Sequence, residues 1–355
     1  MNKTKFIFFS IVCLLTFAQC KTKSKAVILY QEGTPFQKLS EYNFFKGKIS
    51  DLIPNENVLP YDVATPLFTD YAEKARFVWM PKGTSANYTK DEALDFPEGT
   101  ILIKNFYYWN DFRDHSKGKK IIETRLLVKE KKGWNTNNYL WNDAQTDATL
   151  DVVGKTIPIK WINEKGEQMG TNYSVPNKNQ CKNCHNFNNT FMPIGPKVRN
   201  LNHDFTYQEG TKNQMEKWTE IGYLKGFVAA DNIHNKLPKW NDPKSGTLEQ
   251  RAKAYLESNC AHCHRPEGNA NTSGLFLLTT DHNPESWGIM KSPVAAGKGS
   301  GNRLFDIVPG KPEASILTFR MESLDVDAMM PEIGRTMVHI EGVQLIKDWI
   351  ANMPQ

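Results

Sequence analysis

Two short stretches, Cys181-Lys-Asn-Cys184-His185 and Cys260-Ala-His-Cys263-His264, share the form Cys-x-x-Cys-His and leave this 355-residue chain few ways to use its cysteines. The remaining two of its six cysteines, Cys13 and Cys20, fall in an apolar leader. A disulfide scaffold needs a denser set in a shorter chain. A structural zinc could take four thiolates, but it gives no reason for a His directly after each pair. A thioredoxin-like redox pair needs βαβ surroundings, which are missing around Cys260.

The pattern is that of covalent c-type haem attachment. Two intervening residues let both thiols reach the vinyl groups on one porphyrin edge, and the adjacent His brings its imidazole under the iron. Two c-type haems are therefore expected, one on Cys181 and Cys184 with His185 on the iron, the other on Cys260 and Cys263 with His264 on the iron. For the first haem a sixth ligand is not evident. Met192 follows His185 by only seven residues, a reach of roughly 23 Å fully extended, and would have to round the porphyrin rim. His203, Met215, Met169, Met80 and His115 are alternatives from elsewhere in the chain, and an open position is another.

Lys3 and Lys5 precede an apolar run from Phe6 to Phe17, the n-region and h-region of a secretory signal. The run is too short to span a bilayer comfortably. Phe17-Ala18-Gln19-Cys20 then resembles the lipobox of bacterial lipoproteins. This implies a signal peptide over 1–19, lipid attachment at Cys20, a solvated tether over 20–38 and an exported, periplasmic-side protein anchored to a membrane. Export agrees with covalent haem attachment. With Lys+Arg 44 against Asp+Glu 39, no nucleic-acid partner is written in the charge balance.

From about Leu39 to Asn179 aromatic and β-branched runs are separated by Gly, Pro, Asn and Asp. That is strand-and-turn punctuation, clearest at Ala75 to Met80, Gly99 to Tyr108, Ile121 to Lys129 and Ile157 to Ile162. It predicts a β-rich, sandwich-like first domain over 39–205. A polar connector over 206–245 with a short helix near Gln214 follows. Thr247 and Gln250 then have the spacing of a capping box, and Leu248, Ala252, Tyr255 and Leu256 recur with helical period. Val343, Ile346, Trp349, Ile350 and Met353 predict a closing helix. The expected class is multi-domain α+β, ending in a mainly α domain over 246–355.

That last segment resembles class I cytochrome c, in which a helix leads into the attachment motif, a Met-Pro loop supplies the distal sulfur and a C-terminal helix crosses the first. The resemblance implies Met330, directly before Pro331, as the second ligand of the second haem, with Met329 as the fallback. A Met–His pair leaves no open position and suits electron transfer.

Pro66-Leu-Phe-Thr-Asp-Tyr-Ala72, Phe96 to Lys104, Glu123-Thr-Arg-Leu-Leu127, Trp141 to Asp147 and Arg251-Ala-Lys-Ala-Tyr255 together resemble a family of exported bacterial di-haem c-type cytochromes. The resemblance covers about residues 40–352 and names no substrate. Phe96 to Lys104, Gly133-Trp134 and the first Cys-x-x-Cys-His are also similar to β-sandwich mono-haem cytochromes that oxidise hydroxylamine, which implies an open distal face. Electron transfer to a partner redox protein is thus the first expectation. The second is an oxidoreductase whose open first haem acts on peroxide, nitric oxide or hydroxylamine.

Overall fold

The computed structural model describes residues 25–354; the expected signal peptide and Cys20 lie outside them. Six antiparallel strands form the main sheet, in the order β1 (Val58–Tyr61), β2 (Glu73–Trp79), β4 (Ile101–Trp109), β5 (Lys119–Glu130), β6 (Gly133–Trp141) and β7 (Ala148–Asp151). A short β3 (Ala86–Asn87) lies outside that sheet and pairs with β14 (Leu224–Lys225). β8 (Lys155–Ile162) and β9 (Gln168–Val175) form a separate hairpin. The chain is therefore a mixed α+β protein with a large antiparallel sheet.

Alternation along β4 shows why both sheet faces are buried. Ile101 and Ile103 point into a core closed by Tyr30, Leu39, Tyr42 and Phe44 from the N-terminal segment. Leu102, Phe106 and Tyr108 point the other way. The layer expected to complete a sandwich is not a second sheet. Over one face the N-terminal segment runs irregularly, turned by left-handed Asn43 and Leu52 and by Gly47. Over the other, Ile159, Trp161 and Tyr173 of the β8–β9 hairpin cover one end.

The opposite end of that face is covered by α2 (Val198–Leu201) and α3 (Gln214–Glu220). The stretch expected as a connector thus supplies core: Met215 and Trp218 are wholly buried, and Tyr61 meets the Trp218 ring edge-on at 5.7 Å. Two large apolar residues inside a polar run carried too little periodicity to register. Between the two covered ends the sheet face is left to a cavity.

Two helices lead into the Cys-x-x-Cys-His motifs, and both start from a capping box. α1 (Lys178–His185) is capped by Asn177 and Gln180, each side chain bonding the other's backbone N–H at 2.9 Å. α4 (Leu248–Asn259) is capped by Thr247 and Gln250 in the same way, at 2.9 and 3.2 Å. The hairpins β10 (Asn186–Phe187) with β11 (Thr190–Phe191), and β12 (Asp204–Tyr207) with β13 (Gly210–Asn213), follow the first motif. α5 (Ile316–Glu322) and α6 (Ile340–Ala351) close the chain. α6 crosses α4 so closely that a Cβ at Gly342 would come within 2.4 Å of the Tyr255 ring. Among the described residues no helix is long and apolar enough to cross a membrane.

A buried ion pair joins the sheet half to the helical half. Arg199 of α2 donates from Nε to Glu257 of α4 at 2.6 Å and from Nη1 to the Asp91 carbonyl, and both side chains are about 95% buried. Burial pushes the Glu257 carboxyl up, but Arg199, Lys197 and hydrogen bonds from Thr279 outweigh it and hold the group below its ordinary value. Truncating one member leaves the other charged and dry, so Arg199→Ala should cost about 3–5 kcal/mol in chemical denaturation. Because the folded-state value is depressed, the Glu257 contribution should be complete above about pH 4.5 and fade as pH falls through the folded value. Melting temperatures from pH 7 to 3 should accordingly fall less steeply in Glu257→Gln than in the parent.

Candidate functional site

α1 packs against β6 of the main sheet and so delivers Cys181, Cys184 and His185. Directly after them β10 and β11 make a two-residue hairpin on Asn188 and Asn189, both left-handed at φ 47° and 62°, the conformation a type I′ turn requires. The hairpin lays the Phe191 ring flat on the His185 imidazole, centroids 4.8 Å apart. It also brings the Met192 carbonyl to 2.7 Å from His185 Nδ1. A carbonyl only accepts, so Nδ1 carries the proton and Nε2 presents its lone pair. Burial pulls the imidazole pKa down to about 4, so the ring is neutral at pH 7. Met192 is thus held against His185 Nδ1 by its backbone carbonyl, while its side chain packs on the apolar core that includes α2 and α3.

α4 ends at Cys260, and the second motif continues in tight turns, with the His264 N–H donating to the Cys260 carbonyl at 2.9 Å. Ser273 Oγ lies 3.4 Å from His264 Nδ1. Burial lowers this imidazole to about 4 as well. All four motif thiols are free.

The two motifs, remote in sequence, lie against each other. Asn269 donates to the Asn183 carbonyl at 2.7 Å, Asn188 N–H donates to the Glu267 carbonyl at 2.9 Å, and Cys263 Sγ donates to the Asn183 carbonyl at 3.6 Å. Asn186 and Asn269 are also joined side chain to side chain. Ligand atoms of Cys184, His262 and Cys263 fall within 4.8 Å of one another. A hydrogen bond between the two thiols draws Cys184 down and pushes Cys263 up. Nothing in the sequence marked His262, an intervening residue of its motif, as part of such a cluster. Its donor types would also suit zinc.

A cavity of about 400 Å³ opens beside these motifs. Its wall includes Cys181, Cys184 and His185, then Cys260 and, opposite, Met330 and Arg335. Met330 is on the wall, whereas Met329 is not and is 93% buried. Cys263 and His264 lie off this wall. None of the remaining candidates lines it either. Met80 and Met215 are core residues, Met169 packs on the β8–β9 cluster, His115 stacks on Trp109 at 4.0 Å and His203 bonds Gln214. His339 does line it, but its ring is used: it stacks on Phe68 at 4.2 Å and its Nδ1 meets the Tyr255 hydroxyl at 2.9 Å.

The loop that carries Met330 is held by the loop before β2. Asp70 accepts N–H bonds from Thr336 and Met337 at 2.8–3.0 Å and the Thr336 hydroxyl at 2.8 Å. Phe68 N–H donates to Asn259, the residue before Cys260, at 2.7 Å, and Tyr71 bonds Glu341. Asp70 and Tyr71 are both left-handed without being glycine, a strained backbone held by these partners. The segment from Pro66 to Ala72 is therefore a clasp on the second motif and its loop, a role for which residue type alone gave no signal.

Two free thiols and a neutral, oriented imidazole at the first motif, beside a cavity, form a donor set that fits a covalently held haem. The second motif supplies the same donor types. Comparisons with family models, with curated proteins and with solved structures found no match. Removing the clasp should loosen the Met330 loop. Asp70→Ala should lose at least about 3 kcal/mol of stability and expose residues 323–340 to limited proteolysis, with Asp70→Asn intermediate because it keeps an acceptor.

Proposed function

We propose that the chain is an exported di-haem c-type cytochrome that transfers electrons between its two haems and a partner redox protein. On this reading Cys181 and Cys184 hold one haem and Cys260 and Cys263 the other. His185, His264 and, for the second haem, Met330 are iron ligands. The contact between the two Cys-x-x-Cys-His motifs carries the reading, since it brings two sets of attachment thiols side by side. When bound, haem iron supplies one-electron redox chemistry. The chain's own part is to present neutral imidazoles, to exclude water and to hold the Met330 loop in place. The helix α4 leading into Cys260, the crossing α6 and the Met330 loop between them support a class I cytochrome c-like domain over 246–355. The sheet and α1 support a β-rich haem domain over 39–205. Lipid attachment at Cys20 and anchoring to a membrane by the 20–38 tether complete the proposal.

The second reading is an oxidoreductase with an open first haem acting on a small molecule. It is favoured by one observation: Met80, His115, Met169, His203 and Met215 all lie off the cavity beside His185.

The deciding measurement is visible absorption of the purified protein, oxidised and reduced, with and without carbon monoxide, beside Met330→Ala. Electron transfer predicts two low-spin haems that ignore the gas, with only one opened in the variant. One high-spin haem that binds carbon monoxide in the parent selects the oxidoreductase. Bound zinc with no haem surviving denaturing electrophoresis removes both, and assigns Cys184, His262 and Cys263 to a metal site instead.

A further inference from the structure

Three cations stand in one row across the sheet. Arg76 on β2, Lys104 on β4 and Arg125 on β5 are direct cross-strand partners, Arg76 opposite Lys104 and Lys104 opposite Arg125. All three line the cavity. Like charges set directly opposite on adjacent strands are destabilising, so the arrangement needs a counter-charge. The outer two have one: Arg76 pairs with Asp62, and Arg125 with Glu123 at 2.5 and 2.9 Å. Glu123 is fully buried and already accepts from the Tyr173 hydroxyl at 2.6 Å. The Lys104 amine, in the middle, makes no ion pair or hydrogen bond among the described residues; it lies 4.8 Å from the Phe106 ring centroid.

The rest of the cavity wall does not supply the missing charge. It carries five cationic side chains, the three above with Lys197 and Arg335, against two carboxylates, Glu257 and Glu332. Glu257 is taken by Arg199, and Glu332 is an exposed residue of the Met330 loop, whose charge is shared with solvent. Burial, and then Arg76, Lys74 and Arg125, push the Lys104 amine well below its ordinary value, with Glu123 opposing.

We propose that this row is an anion-binding site, centred on Lys104 and flanked by Arg76 and Arg125, that takes a carboxylate or a small inorganic oxyanion inside the cavity. A planar or tetrahedral oxyanion offers several acceptor atoms, matching a row of donors on adjacent strands. The same chemistry has two sources, a carboxylate brought by a cofactor or a free oxyanion from solution. The first source rests on the haem reading and the second does not.

The test uses the purified full chain with sulfate, an oxyanion that ligates iron poorly, titrated calorimetrically in chloride buffer of low ionic strength. If the occupant is free, the parent should bind sulfate, Lys104→Met should bind at least about tenfold more weakly, and Lys104→Arg should restore binding. If the occupant is a cofactor carboxylate, the parent should take up no sulfate, while Lys104→Met should lower the reduction potential of one haem and Lys104→Arg should not. No sulfate uptake together with an unchanged potential, in a variant whose circular dichroism and melting match the parent, overturns the inference. Covalent haem content is read separately from the alkaline pyridine spectrum, so a failure of the haem reading is distinguishable from a failure of the anion site.

Discussion

The Arg199–Glu257 pair is the contact on which the arrangement of the molecule depends. Arg199 lies shortly after the first Cys-x-x-Cys-His motif, and Glu257 lies on the last turn of α4, just before the second. A charge pair this dry has no cheap alternative partner, because separating it strands two ions away from water. It therefore selects one docking of α4 against α2 out of the many that apolar packing would tolerate. Once that docking is made, the turns after Cys260 meet the turns after Cys184, and Asn183, Asn186 and Asn269 close the seam between them.

Around that seam the sheet supplies a wall rather than a core. Apolar clusters cover each end of one face, and the row of cations occupies the gap between them. The Pro66 to Ala72 loop crosses the gap and grips the Met330 loop through Asp70. Rigid supports thus converge on the cavity from three sides: the sheet, α1 with its hairpin, and the clasped loop. A preorganised cavity of this kind costs strain in the backbone at Asp70 and Tyr71 and like-charge repulsion along Arg76, Lys104 and Arg125.

Much of this was legible before any coordinates. The strands at Ala75 to Met80, Gly99 to Tyr108 and Ile121 to Lys129 declare themselves by β-branched and aromatic runs, and they correspond to β2, β4 and β5. The helix after Thr247 declares itself by its capping box. The same signature at Asn177 and Gln180 carries less signal, because the helix it starts is short and lacks an apolar stripe. What stayed hidden is long-range. No local pattern distinguishes Trp218 in a polar run as core, sets Lys104 opposite two arginines, or places His262 beside Cys184. Those facts depend on register and docking, which involve residues remote in sequence. The same holds for Met192, whose backbone carbonyl, rather than its sulfur, turned out to face His185.

The cavity belongs to neither half of the chain. Its floor is strand, its rim is helix and loop, and the residues that pair across it come from both sides of residue 245. A cut there would leave Arg199 without Glu257, Asp70 without its three donors and the cation row open to solvent. The molecule is therefore indivisible in a way that a string of independent modules is not. Shuffling or swapping its C-terminal part for another of the same shape would have to preserve a buried carboxylate, a pair of backbone donors and a cavity wall at once.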